Sequence, residues 1–455
     1  MLESIDRFLN AAVDFVWGLP LLVLLLGGGL FFTFYSRFLP FRYFKHAIDV
    51  LRGKYDHRDE KGEISHFQAL SSHLAATVGM GNISGVALAI VAGGPGAIFW
   101  MWVSAFLGMT TKFFTCTLAV KYRGLDSEGK LQGGPMYVIR EAMPNSFKFM
   151  AGFFALAGVF GATPVFQANQ IVQVTKDVIF RPLGWAEGNE FIISLLIGLT
   201  IVVFTSLIIF GGIKKIGEAA SKMVPTMVVV YIVSVLVIMA VNWSNVLDNF
   251  FLIFTDAFEA DAVLGGAVGA IIIEGAKRAA FSNEAGIGTA PMMHGAAKTD
   301  EPVREGLVAM LGPFIDTLVV CTMTALCILS TGVWTNTGLD GISLTAKAFE
   351  ISIPVIGPYI LFACVLIFAF TTVFGFSYIG QKCLSYLIGA KYGKYFNYWY
   401  VATIIVGSLS SLSGVVNIIF IMYGLMSIPT MVSAIYLSPK VMHEAKKYFA
   451  KTAKD

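Results

Sequence analysis

Two apolar stretches carry residues that suit neither a plain helix nor a lipid-facing surface. Residues 73–94, HLAATVGMGNISGVALAIVAGG, place Gly79, Gly81, Asn82 and Gly85 in mid-stretch. Residues 269–291, GAIIIEGAKRAAFSNEAGIGTAP, hold Glu274, Lys277, Arg278 and Glu284 within eleven residues. A glycine inside a helix costs about 1 kcal/mol relative to alanine. Ionisable groups inside a membrane span are costly and face a cavity or a partner. The chemistry open to such residues is binding. An unwound helix frees N–H groups on one half and carbonyls on the other. A carboxylate can take the N–H groups, helped by the positive end of the helix dipole. A bare sodium ion can take the carbonyls, because hard cations prefer oxygen. The alternative use of the glycines is close packing between helices.

Other polar groups interrupt other apolar runs. In TPVFQANQIV, residues 163–172, Pro164 kinks the run and Gln167, Asn169 and Gln170 are polar at mid-depth. Gln167 and Gln170 are three apart and share a face. Gln170 is expected to face a central cavity, with Phe166 walling it; interhelical hydrogen bonding is the other reading. In FAFTTVFGFSY, residues 368–378, Thr371 and Thr372 are adjacent hydroxyls. They either bond back to their own helix carbonyls or join those of residues 73–94 around sodium. Glu274 is expected at the second break, near a substrate amine. Lys277 and Arg278 are expected on its inner side, and Asn283, Glu284, Gly286 and Gly288 in the inner half-helix. His73 reads as a packed residue.

The elements that must carry these groups cross a bilayer. The 455 residues are 56% hydrophobic and 13% charged, against about 25% charged in soluble domains. Mean hydropathy is +0.74. Apolar runs of about 20 residues recur, each long enough to span. The pattern predicts an all-α polytopic protein with eleven spans, near 15–35, 66–92, 97–120, 149–176, 191–210, 223–241, 262–290, 306–331, 354–381, 397–410 and 414–437. Alternate connecting segments hold 25 of the 32 lysines and arginines. The positive-inside rule then puts the N-terminus outside and the C-terminus in the cytoplasm of a cell membrane. A net charge of +3 spread over six loops needs no nucleic-acid partner; it meets anionic inner-leaflet lipid. Five cysteines without a CxxC pair suggest neither metal site nor disulfide framework.

The two interrupted spans stand at matching places in two sets of five. The expected units are residues 1–65 (an extra span and cytoplasmic linker), 66–241, an outer loop 242–261, 262–437 and a cytoplasmic tail 438–455. Five spans is odd, so the second set enters from the opposite face. An inverted 5+5 repeat with one broken helix per half points to a transporter binding site. GMGNISG falls one residue off a nucleotide-binding GxGxxG and lacks its βαβ surroundings.

At the motifs ATVGMGNISGVA (76–87), GGPGAIFWMW (93–102), QGGPMYVI (132–139) and FSNEAGIGTAPMMHGAAKTDEPVREGLV (281–308), the chain resembles the alanine or glycine:cation symporter family. The resemblance implies a leucine-transporter-like fold and sodium-driven uptake of small neutral amino acids. It implies a sodium site from the backbone of Ala75 and Val78 with Thr371 and Thr372. The amides of Gly79, Met80 and Gly81, with Thr77, would face the substrate carboxylate. Ile273, Glu274, Gly275 and Ala276 would line the pocket from the second broken span. Asn82 corresponds to a second sodium ligand in some relatives, a role left open here.

The expectation is a sodium-coupled symporter for alanine or glycine, working by alternating access around a central site. Phe166, Ile273 and Phe370 would crowd the substrate side chain. No enzyme motif and no cofactor beyond the coupling sodium is expected, and the oligomeric state is left open. Proton coupling is the first alternative. It is disfavoured by the lack of Asp or Glu in the spans that begin near 66, 149 and 354. A channel is the second alternative; channels usually build their pores from several subunits.

Overall fold

The computed structural model describes residues 2–57, 59–185, 188–258, 267–335 and 338–452. It is nearly all helix, with one short antiparallel ribbon, Gly124–Leu125 against Leu131–Gln132. In chain order the helices used below are α1 (Leu2–Val16), α2 (Leu19–Tyr35), α3 (His66–Thr77), α4 (Gly81–Gly93) and α5 (Gly96–Lys121). Then come α6 (Phe149–Gly161), α7 (Val165–Thr175), α8 (Glu190–Ile209), α9 (Gly212–Val241) and α10 (Trp243–Asp256). The second half supplies α11 (Ala267–Asn283), α12 (Thr289–His294), α13 (Pro302–Thr331), α14 (Gly341–Ser352), α15 (Gly357–Ile388), α16 (Phe396–Leu409), α17 (Leu412–Tyr436) and α18 (Ser438–Thr452).

Among the described residues seven helical runs are long and apolar enough to cross a membrane, with α6 and α7 counted together as Asn145–Phe180. The count reaches nine if α1 with α2 and α3 with α4, bent by 43° and 53°, are each one span. The eleven-span expectation exceeds this in two places. Residues 397–410 form the 14-residue α16, about 21 Å long at 1.5 Å per residue and short of a hydrocarbon core of about 30 Å. The expected span 262–290 starts among residues outside those described, and α11 is a 17-residue helix. The expected outer loop 242–261 is mostly the helix α10; the boundary at 261 and 262, with Glu259 and Asp261, lies outside the described residues.

Burial sorts the helices into a centre and a rim. In its most apolar window α5 is 78% buried, whereas α9 is 28% buried. The rim shows Phe191, Leu196, Val203, Leu207, Val229 and Val233 to the surroundings. So broad an apolar surface would drive association in water; here it meets lipid. The centre is built from α5 packed on α13, α11 and α12, with α3 against α9 and α15. Ser65 starts α3 with a capping box: its Oγ accepts from the Gln68 amide at 3.2 Å, and Gln68 Oε1 accepts from the Ser65 amide at 3.0 Å.

Candidate functional site

The first broken span opens where GMGN stands. α3 ends at Thr77, and Val78 still donates to Leu74 O at 2.7 Å. The next helical bond would run from Gly79 N–H to Ala75 O. Instead Gly79 donates to Asn82 Oδ1 at 2.9 Å. Asn82 N–H would run to Val78 O, but it donates to Gly79 O at 3.1 Å. Asn82 therefore diverts both donors, and the Ala75 and Val78 carbonyls leave the helical ladder. Thr77 Oγ turns back to His73 O at 3.1 Å.

α15 lies against this opening. A Cβ on Gly79 would stand 2.3 Å from Thr372 Oγ and 3.4 Å from Phe368 O. A Cβ on Gly375, one turn further on, would meet Ala76 at 2.9 Å. Both glycines are thus required for the close approach of two backbones. The Thr371 and Thr372 hydroxyls each donate to Phe368 O at 2.9 Å, so the bonding back expected for threonine occurs. It also leaves the Thr372 oxygen, with a free lone pair, against the opening at Gly79, while the Thr371 hydroxyl lies by Met227 Sδ of α9 at 3.6 Å.

The second break is not where the sequence reading put it. α11 runs without interruption through Ile273, Glu274, Gly275 and Ala276 to Asn283. The chain unwinds at residues 284–288, where Glu284, Gly286 and Gly288 have φ of 55°, 86° and 106°, and α12 resumes at Thr289. Glu274 lies ten residues before this break, about 15 Å along the helix. There it pairs with Lys277 at 2.9 Å and with Arg278, whose cations lie over the Phe420 ring. Gly275 is a packing glycine: a Cβ there would meet Trp100 Cβ at 2.6 Å and Ala97 O at 2.7 Å. Gly93, at the far end of α4, faces Glu274. The 273–276 group thus sits beside the far end of α4, away from the breaks. Lys277 and Arg278 likewise precede the break on α11, on the side opposite α12.

Residues 281–282 of α11 face the first break instead. A Cβ on Gly81 would stand 3.2 Å from Ser282 Cα, and one on Gly85 would stand 3.5 Å from the Phe281 ring. Phe166 packs edge-on to Phe281 at 5.1 Å. Gln170 Oε1 accepts from Ser84 Oγ at 2.7 Å, and Gln170 Nε2 donates to Asn169 at 3.1 Å. Gln170 also lines a cavity of about 440 Å³ with Asn169, Gln173, Lys176, Glu190 and Ser410. Met80 is buried beside the opening. Phe370 is not part of the group: it is partly exposed and packs on Phe204, a rim residue, at 6.1 Å.

The two breaks meet around a carboxylate that the sequence reading missed. Asn82 Nδ2 donates to Asp316 Oδ1 at 2.8 Å, and Ser282 Oγ and Thr317 Oγ donate to Asp316 Oδ2 at 2.5 and 2.8 Å. Asp316 is fully buried. Asn82 and Asp316 both lie in wide π-helical turns, Gly81–Gly85 and Phe314–Cys321, a deviation that recurs at functional sites. The signal in the sequence was a lone acid inside an apolar run. Glu284, in the second break, accepts from Tyr423 at 2.8 Å and from Thr289. Among the described residues no group of His, Cys, Asp and Glu is arranged to hold a metal ion of the kind those side chains chelate.

A bundle with an interrupted central helix pair and backbone released at the crossing defines a class: multi-pass membrane transporters of the leucine-transporter-like fold. A solved structure of MhsT in complex with L-phenylalanine shares that fold, with a TM-score of 0.64 over 85% of this chain and 93% of that one at 13% identity. The sodium:alanine symporter family matches residues 2–455, and the chain belongs to that family. It is 42% identical to the sodium/alanine symporter AgcS of Methanococcus maripaludis over 96% of each chain. It is 36% identical to the putative sodium/proton-dependent alanine carrier protein YrbD of Bacillus subtilis, over 85% of this chain and 79% of that one. The protein is a transporter and not an enzyme.

Proposed function

We propose that the protein couples inward sodium flow to uptake of a small neutral amino acid, alanine or glycine, by alternating access. One observation carries the reading. The Ala75 and Val78 carbonyls leave the helical ladder where Thr372 Oγ and Phe368 O press on Gly79, an all-oxygen set suited to a bare hard cation, with Thr371 next to them on α15. The substrate carboxylate takes the N-terminal end of α4 at Met80 and Gly81. The side chain points toward Phe166 and Phe281, whose rings pack edge-on at 5.1 Å and would crowd a larger side chain. Gln170 fixes polar atoms on the outer side. The basic connecting segments orient the N-terminus outside and the C-terminus in the cytoplasm.

Proton coupling is the second reading, and Asp316 favours it: a buried carboxylate at the crossing of both broken spans is a proton carrier of the usual kind. Binding of alanine to the purified protein in sodium, in potassium and in neither separates the two. The sodium reading expects binding in sodium alone, and a sharply raised sodium requirement in Thr371→Val and Thr372→Val. Equal affinity in all three salts, with a pH dependence lost in Asp316→Asn, would overturn it in favour of protons.

A further inference from the structure

Below the breaks, on the basic side, a line of ionisable side chains is sealed between the inner half-helices. His66 and His73 stand on α3, His294 ends α12, Glu305 opens α13 and Lys112 comes from α5. All five are buried, the three histidines and Glu305 at 0–1% exposure. Glu305 is held by His294 Nδ1 on one oxygen at 2.5 Å and by His66 Nδ1 on the other. Lys112 Nζ bonds His73 Nε2, and the His73 and His294 rings lie 5.4 Å apart. His66 Nε2 reaches 3.7 Å from Asp56, an acid 45% exposed on the basic side.

The bonds assign the protons. A carboxylate only accepts, so His294 Nδ1 carries a hydrogen, and in the neutral ring its Nε2 keeps a lone pair. An ammonium only donates, so His73 Nε2 accepts from Lys112 and its Nδ1 carries the hydrogen. His294 Nε2 and His73 Nδ1 are both buried without a partner among the described residues. Other ionisable groups on the elements that pack on α12 include Cys116 and Lys121 on α5, Arg304 and Asp316 on α13, and Tyr378, Lys382 and Cys383 on α15; Lys382 donates to Met292 O at 2.9 Å. Glu284 precedes α12, and Arg123 donates to Gly295 O, just after it, at 2.8 Å.

We infer that His294 is a proton-binding site built between the inner half-helices of the two broken spans, and that a proton there drives those half-helices apart. This rests on the symport reading above for its meaning in the transport cycle. A proton from the basic-side solution adds to the Nε2 lone pair and gives an imidazolium beside the Glu305 carboxylate. Its new N–H has no acceptor among the described residues: the His73 ring, 5.4 Å away, offers only its own unpartnered donor, and Lys112 bonds that ring at the other nitrogen. Two donors and a second cation oppose each other in a dry space. The contact between α3 and α12 is the one that gives way, so low pH on the basic side favours the state open to that side.

Cys116 reports the change. It forms a small buried cluster with Ala290 of α12 and Ala309 of α13, so withdrawal of α12 uncovers its thiol. Cys321, Cys327, Cys364 and Cys383 are replaced by alanine, and Cys116 is alkylated with N-ethylmaleimide in sodium-free buffer. Each rate is divided by that of the same protein denatured at the same pH, which removes the thiolate dependence. The normalised rate is expected to rise at least about fivefold from pH 8 to pH 6 in the parent and less than about twofold in His294→Gln. Glutamine keeps a donor for Glu305, so the variant retains the fold. Direct proton uptake by the parent, read with an indicator in weak buffer, is a second measure and should be lost in His294→Gln. A pH-independent parent, or an unchanged response in His294→Gln, overturns the proposal. Sodium-dependent alanine binding on the same samples is read separately, and its absence would instead overturn the symport reading.

Discussion

Gly79→Ala tests the sodium site at one atom. The added Cβ would stand 2.3 Å from Thr372 Oγ, where carbon–oxygen contacts settle near 3.3–3.6 Å. The hydroxyl must retreat by about 1 Å. Gly79 has no left-handed φ, so the alanine backbone itself is unstrained. Crowding of this size costs about 1–3 kcal/mol. The threonine can relieve it by turning about its first side-chain bond, which moves the oxygen away from the Ala75 and Val78 carbonyls. The cost then falls on sodium binding rather than on folding. At tenfold per 1.4 kcal/mol, the sodium affinity is expected to drop about 5- to 150-fold. The assay is the sodium titration of alanine binding by calorimetry, with the melting temperature taken in parallel. Gly79→Ala combined with Thr372→Ala removes the clash; it should recover any lost thermal stability but not the sodium affinity. A Gly79→Ala protein with the wild-type sodium requirement would refute the argument, because no cation could then lie among these oxygens.

Three further outcomes are expected. Gln170→Leu leaves the Ser84 hydroxyl without its acceptor in a buried place, a stability loss of about 1–3 kcal/mol that the melting temperature should show, and alanine binding should weaken as well; wild-type affinity would make Gln170 a packing residue. Asn82→Ala frees the Gly79 amide to return to Ala75 and strips a donor from Asp316, so both sodium affinity and thermal stability should fall; retention of either would mean that Asn82 does not hold the break open. Glu274→Gln should change alanine affinity less than about twofold, because its ion pairs with Lys277 and Arg278 lie outside the breaks and part-buried pairs of this kind act on stability; a loss of more than tenfold would return Glu274 to the substrate site.

The first break was legible because Asn82 and three glycines interrupt an otherwise apolar run. The second was misplaced because charge drew attention to Glu274. Alanine, isoleucine, glutamate, lysine and arginine all sustain a helix, and Gly275 there serves packing. The true signal was Gly286 and Gly288 followed by Pro291, glycines in left-handed backbone ahead of a proline in a new first turn. Phe370 failed for a reason that 3.6 residues per turn makes plain: it lies about 200° from Thr372, whereas Phe368 lies one turn away on the same face. Asp316 carries no local mark: it stands alone in the apolar run 306–331, and only the crossing of α4 and α11 brings Asn82 and Ser282 to it. Where the diverted donors go, and that Phe281 and Ser282 face Gly81, depends on how two distant helices cross, which no local pattern records.

The basic-side ends of the two broken spans are stitched together. Glu63 donates to Ala296 O at 2.9 Å, Lys298 to Ile64 O at 2.7 Å and Thr299 to Lys61 O at 3.0 Å. Arg123 caps the same carbonyl row at Gly295, Thr299 and Ala297. The short segment before α3 and the one after α12 therefore form a single strap. Any tilt of one span at that face is handed to the other, so the pair swings like two oars on one pin, and the freedom to part is confined to the stretch between this strap and the unwound glycines.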